Sequence, residues 1–216
     1  MKLSQKTLEI LKSFNNINPS MAFKPGNVIS TIDKDHTMLA LANIEEEIPR
    51  DFAIYELSKF IGALSAMPNC DIELGDKQLV IKTNNSKINY TYAELSMIKA
   101  SPYKELPVDD VLAEFMLEYN VLSNVIKVAS ILELSDITIK SEEGMDDILI
   151  YASNEANSTS DNYQIKVGET SNSFKISFKL EHFKLLNRDY IVTVSGNPFV
   201  QFKAPDITYW IASKAS

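Results

Sequence analysis

The chain has 216 residues, 45% hydrophobic and 23% charged, with 21 Lys and Arg against 29 Asp and Glu and a formal charge of −8 at pH 7. That apolar content suits the packed core of one or two domains and excludes a disordered chain, while the acidic excess excludes a protein that coats nucleic acid over its whole surface. No run of 18 apolar residues and no apolar signal core occurs, and Cys70 has no second cysteine to pair with, so the sequence predicts a soluble intracellular protein without a membrane partner.

The first predicted element is a helix. Wound at about 100° per residue, it gathers Leu3, Thr7, Ile10, Leu11 and Phe14 on one face. Lys2, Gln5, Lys6, Glu9, Lys12 and Ser13 fall on the other, three lysines to one glutamate in an acidic protein. Ser4 is its expected N-cap, and Asn15, Asn16 and Pro19 end it. Short strands follow in SMAFKPGNVIST, which contains a Pro-Gly turn, and in HTMLALANI. FAIY begins another strand that leads into a second helix, ELSKFIGALSAM, stopped near Pro68. CDIEL, KQLVIKT and KINYTY read as strands joined by Gly-Asp and Asn-Asn turns. SMIKASPYKELPVDD, with two prolines and no clear period, reads as a linker at about 96–110 between domains 1–105 and 106–216.

Beyond the linker the order recurs. EYNVLSNVIKVASILE is a third helix, followed by the strands SDITIKS and DDILIYAS around a Glu-Gly turn. FKISFKLEHFKLLN repeats the strand-then-helix unit of FAIYELSKFIGAL, and YIVTVSG, FVQFKA and ITYWIAS supply closing strands. Both halves read helix, strands, helix, strands, and aligning EILKSF with NVIKVA matches Lys12 to Lys127. The expectation is an α+β fold of two similar domains, each a sheet with two helices on one face. Charge divides unevenly between them: 12 basic and 13 acidic residues lie in the first 105 positions, nine and 16 in the rest.

Few residues suggest catalysis. His36 and His182 are far apart in sequence and lack the nearby ligands a metal site needs. Cys70 reads as a buried small hydrophobe at a strand start, and the acidic clusters IEEEIPRD and SEEGMDD as surface and turn positions. Six glycines, without a P-loop or GxGxxG, give no support for nucleotide binding. The sequence therefore points to a non-enzyme without cofactor. An α+β protein-interaction module that does not encircle DNA, and a hydrolase whose carboxylates converge only on folding, stay open on the residues alone.

MKLSQKT, LKSFNNIN and above all FAIYELSKFIGALS resemble the sliding clamps of T-even-like bacteriophages, the processivity factors of their DNA polymerases. The resemblance implies a homotrimeric ring of six similar domains, the architecture also of cellular clamps such as proliferating cell nuclear antigen. Such a ring encircles double-stranded DNA without reading its sequence, is opened by an ATP-driven clamp loader, tethers the DNA polymerase, and allows a role with transcription factors. It would work in the cytoplasm of the infected bacterial host. The polar faces of four helices would line the hole with Lys2, Lys6, Lys12, Lys59, Lys127, Lys184 and Arg188 against Glu9 and Glu181, which is seven of 21 basic side chains but two of 29 acidic ones. Lys77 and Lys214 would lie outside it. Partner tails would bind an apolar groove made by Met97, Pro102, Leu106 and Val108 of the linker with Ile207, Tyr209 and Ile211 of the last strand, where alternation sets Trp210 on the other side.

Overall fold

The computed structural model describes residues 1–99, 101, 105–157 and 159–214. The chain divides into two compact units, Met1–Lys104 and Glu105–Ser216.

In the first unit, helix α1 (Gln5–Ile17) begins where the extended Ser4 turns its Oγ to accept the Thr7 amide at 3.2 Å. It stops at Asn18, whose side chain binds the Ile32 carbonyl and the Ser20 amide just past Pro19. Strands β1 (Met21–Phe23), β2 (Gly26–Ile32), β3 (Met38–Ile48) and β4 (Phe52–Ile54) lead to helix α2 (Leu57–Ala66). Strands β5 (Asp71–Leu74), β6 (Gln78–Lys82) and β7 (Lys87–Thr91) follow as an antiparallel meander. The Pro-Gly turn closes no hairpin: β1 pairs with β4, and β2 with β3. Gly26, at a φ of +111° that suits glycine, swings the chain from one ladder to the other.

Both helices turn one face inward. Ile10, Leu11 and Phe14 of α1 and Leu57, Phe60, Ile61 and Leu64 of α2 are buried. Beside them Phe23 stacks on Phe52 with centroids 4.4 Å apart, and Phe60 meets Tyr90 edge-on at 5.6 Å. Each such side chain, fully removed from water, contributes roughly 1.5–3 kcal/mol.

The second unit runs β8 (Val111–Leu117), α3 (Tyr119–Ile131), β9 (Asp136–Ser141), β10 (Asp147–Ser153), β11 (Tyr163–Glu169) and β12 (Phe174–Lys179). It closes with β13 (Tyr190–Ser195), β14 (Phe199–Lys203) and β15 (Ile207–Ala212). One antiparallel ladder runs β11-β10-β9-β12; in the other, β8, β13, β14 and β15 pair in that spatial order. Leu122, Val125 and Ala129 of α3 face the core, where Ile137, Ile139, Ile148, Ile150, Phe178 and Phe202 are buried from the strands.

The expected order fails in this unit at three places. Strand β8 precedes α3: Ala113, Phe115 and Leu117 point inward while Val111 and Met116 are exposed, an alternation hidden in the apolar run VLAEFML. Strand β11, in NYQIKVGE, is half-exposed and carries a polar pattern that does not announce a strand. The fourth helix is absent as such: only Leu180–Phe183 coils, as a single 3-10 turn, and the chain is then irregular up to Tyr190. A helix would bond the Leu186 backbone to residues four away; here tyrosine hydroxyls take both of its polar groups. Among the described residues, the first unit carries two α-helices and the second one, and no helix is long and apolar enough to cross a membrane.

Candidate nucleic-acid interface

The N-terminal end of α1 is held by a strand. Glu46 of β3 accepts the Thr7 hydroxyl at 2.6 Å through Oε2 and the Ser4 amide through Oε1. The carboxylate thus satisfies donors at the helix N-terminus and complements its partial positive charge. Lys2, just before the helix, and Lys12 are exposed, Lys6 is half-buried, and Thr7, Ile10, Leu11 and Phe14 on the opposite face are buried. The predicted division of the helix into apolar and lysine-bearing faces is present except at Ser13, expected on the lysine face but buried.

Lys59 leaves α2 on its solvent side and pairs with Glu56 at 2.6 Å, one turn earlier. The hydrogen bond to Glu56 raises its ammonium pKa, but both groups are well exposed and water screens the pair. Lys127 is exposed on α3, whose first amide, that of Tyr119, donates to Asp189 Oδ1 at 2.7 Å. Lys184 is exposed immediately after the 3-10 turn and lines a recess of about 590 Å³ with Ile126 and Ser130 of α3. Among the described residues no ion pair engages Lys2, Lys12, Lys127 or Lys184.

Arg188 is placed differently. Its guanidinium grips Asp206, with Nε 3.2 and 3.3 Å and Nη2 3.1 Å from the carboxylate oxygens, and that carboxylate is almost wholly buried. Arg188 neutralises a buried charge, and a free cation for phosphate is not what the geometry offers. Lys214 is likewise structural: Nζ donates to Asp136 at 2.6 Å and to Glu155 at 2.8 Å. Burial pushes the Asp136 carboxyl up, yet hydrogen bonds from Lys214, the Glu155 amide and Ser135 outweigh it and leave its pKa below the ordinary value. Lys77 is exposed.

The residues expected to hold partner tails separate by burial. Met97 is 68% exposed, and Leu106 and Val108 are half-buried. Pro102 lies outside the described residues. Ile207, Tyr209 and Ile211 are at most 2% exposed and belong to the core of the second unit, where Tyr209 meets Tyr190 edge-on at 6.0 Å. Strand alternation set them on one side and Trp210 on the other, and both sides are covered, since Trp210 is buried as well.

Cys70 is buried and free, and burial pushes its thiol pKa up, the opposite of activation. Among the described residues no group of three His, Cys, Asp or Glu side chains is arranged to hold a metal ion. Sequence reasoning missed Glu46, Asp189, Tyr190 and Asp206. Only Glu46 left a usable sign: within IEEEI it occupies the same alternate positions as the buried Ile44 and Ile48.

Known proteins match the chain along its length. The profile described as DNA polymerase processivity factor matches residues 2–101, and that described as gp45 sliding clamp, C terminal, matches residues 114–215. The sliding clamp of Vibrio phage KVP40 is 32% identical over 220 residues, covering 100% of both chains. That of Escherichia phage RB69 is 29% identical over 228 residues, covering 100% of this chain and 97% of the relative. Among solved structures, A. fulgidus PCNA bound to the C-terminal region of FEN-1 superposes with a TM-score of 0.75 at 10% identity, covering 100% of this chain and 97% of that one. PCNA from Entamoeba histolytica gives 0.71 at 16% identity, covering 97% and 95%. At such identities the structural likeness speaks for the fold alone.

Proposed function

The chain belongs to the sliding-clamp family of DNA polymerase processivity factors, and from that premise we propose that it works as a homotrimeric ring around double-stranded DNA. The observation that carries this reading is the division of α1. A helix that buries Ile10, Leu11 and Phe14 turns Lys2 and Lys12 outward in a protein of net charge −8. Lys127 repeats the arrangement on α3, and Lys6, Lys59 and Lys184 complete the set facing the duplex. Arg188 holds the loop that carries Lys184.

A ring that slides needs attraction to phosphates without fixed base contacts. Phosphate contacts carry no sequence information and weaken steeply with salt. A lysine ammonium, mobile and well hydrated, suits this better than the rigid arginine fork. The acidic remainder of the surface disfavours DNA outside the ring. Enclosure then keeps the clamp on the duplex although each contact is weak.

The DNA polymerase is the partner that the family description itself supplies. A clamp loader would open the ring with ATP, leaving this chain without a catalytic step, and the site of action is the cytoplasm of an infected bacterium. Polymerase tails would bind along the connecting segment at Met97, Leu106 and Val108, with Ile207, Tyr209 and Ile211 supporting the second unit from within. The alternative, an interaction module that does not encircle DNA, is not favoured by relatives that match the whole chain.

Light scattering tests the assembly. Three chains of 24.3 kDa give about 73 kDa at micromolar concentration, closing sheet edges that a single chain leaves open. A stable monomer over the accessible range contradicts the ring.

A further inference from the structure

Between β12 and β13 the chain crosses from Leu180 to Asp189 with one 3-10 turn and no helix, yet it is firmly held. The Leu186 amide donates to the Tyr209 hydroxyl at 3.2 Å, and the Leu186 carbonyl accepts from the Tyr190 hydroxyl at 2.5 Å. Both rings are fully buried and cross edge to face. Two residues on, Arg188 docks through three hydrogen bonds onto Asp206, itself buried before β15. Lys184 stands two residues ahead of Leu186, exposed at the rim of the recess that Ile126 and Ser130 of α3 also line.

We propose that Tyr190, Tyr209 and Asp206 form a positioning clamp that fixes Lys184 against α3 for contact with a duplex phosphate. The inference rests on the reading that Lys184 faces DNA, and adds what holds it there. In the first unit Lys59 is carried by a regular helix, whose backbone bonds fix its direction. In the second, the segment that carries Lys184 has no such ladder, and a loop lysine without anchors loses its aim to backbone freedom. Two buried hydroxyls on the backbone of one residue, with a bidentate ion pair beside them, replace the missing helical bonds. Phenylalanine would fill the same core space, so the hydroxyls serve the loop and not the packing. Burial also pushes the Tyr190 phenol far up, so it stays a donor throughout the neutral range.

The test uses the full-length protein and a linear duplex of about 30 base pairs at low salt, with affinity read by fluorescence anisotropy for Lys184→Gln, Tyr209→Phe and their double variant. Amide exchange at Leu186 reports the clamp itself. Lys184→Gln is expected to weaken binding about threefold and Tyr209→Phe about twofold, with the double variant no weaker than Lys184→Gln alone. Tyr209→Phe should also speed exchange at Leu186, and Asp206→Asn should follow the same pattern. Additive losses, or an unchanged affinity in Tyr209→Phe while Leu186 exchanges faster, overturn the clamp as a positioning device. If Lys184→Gln binds as wild type while Lys127→Gln weakens, the clamp proposal falls and the ring reading stands. If no lysine substitution changes affinity, the DNA-facing reading itself fails.

Discussion

Glu46 and Thr7 lie 39 residues apart and meet at 2.6 Å, where a carboxylate near the end of β3 accepts the hydroxyl of the first turn of α1. The same carboxylate takes the Ser4 amide, so the helix that carries Lys6 and Lys12 is pinned to a strand at the end nearest Lys2. Glu45 and Glu47 on either side are exposed. Of the three glutamates in IEEEI, the middle one is structural.

Glu46→Ala should therefore destabilise the protein by about 0.5–2 kcal/mol, the range for losing the capping of a helix N-terminus. Glu45→Ala and Glu47→Ala should stay within about 0.5 kcal/mol of wild type, as surface substitutions do. Urea unfolding of the three variants measures this, and equal losses at all three positions would contradict the cap.

Charge reversal at Lys12 and Lys127 should weaken binding to a short duplex about tenfold at low salt, with a smaller effect as salt rises. Lys77→Glu is the proper control and should change binding by no more than about twofold. Lys214→Glu is no control, because it would set a carboxylate against Asp136 and Glu155. The comparison is valid while the molar mass in solution is unchanged.

The ion triad Asp136–Lys214–Glu155 should make the second unit less stable at both pH extremes. Asp136 and Glu155 are depressed from 3.8 and 4.5, so the stability they contribute is present above those values and is lost as pH falls through the lower folded ones. Lys214 is raised from 10.5, so its contribution is full below that value and is lost as pH rises through the folded one. Lys214→Met should flatten the stability profile at both ends, and melting curves across about pH 3 to 11 would show it. A profile as steep as wild type would mean that other carboxylates set the acid limit.

How far the sequence could be read follows from how local each signal was. Ser4, the lysine face of α1, the meander β5-β6-β7 and the buried Cys70 were legible because caps, helical period and turn residues act over a few positions. Strand β8 was not, since VLAEFML is apolar at successive positions and shows no period until Val111 and Met116 are seen in solvent. The segment EHFKLLN has the composition of a helix, but Tyr190 and Tyr209, up to 23 residues away, take the Leu186 backbone for themselves. Burial of Ile207, Tyr209 and Ile211 was equally invisible, because alternation says which residues share a side and not whether a side is covered, and here Trp210 on the opposite side is buried too.

That burial changes how partner binding should be probed. Tyr209→Ala would open a cavity in the core at a cost of roughly 3–5 kcal/mol, so loss of a polymerase tail would follow from unfolding. Met97→Ala and Leu106→Ala are the informative variants: each should keep the fold and weaken a polymerase C-terminal peptide, measured by calorimetry. Unchanged affinity in both would place the contact elsewhere.

Enclosure of the duplex is a topological property, and a ligation experiment reads it. A linear duplex is incubated with the protein at low salt, closed into a nicked circle by ligase on one strand, and washed at high salt to remove electrostatic binding. A ring around the duplex stays on the circle and is released when a single double-strand cut reopens it. Release by salt before the cut, or retention after it, would contradict enclosure of the duplex by a ring.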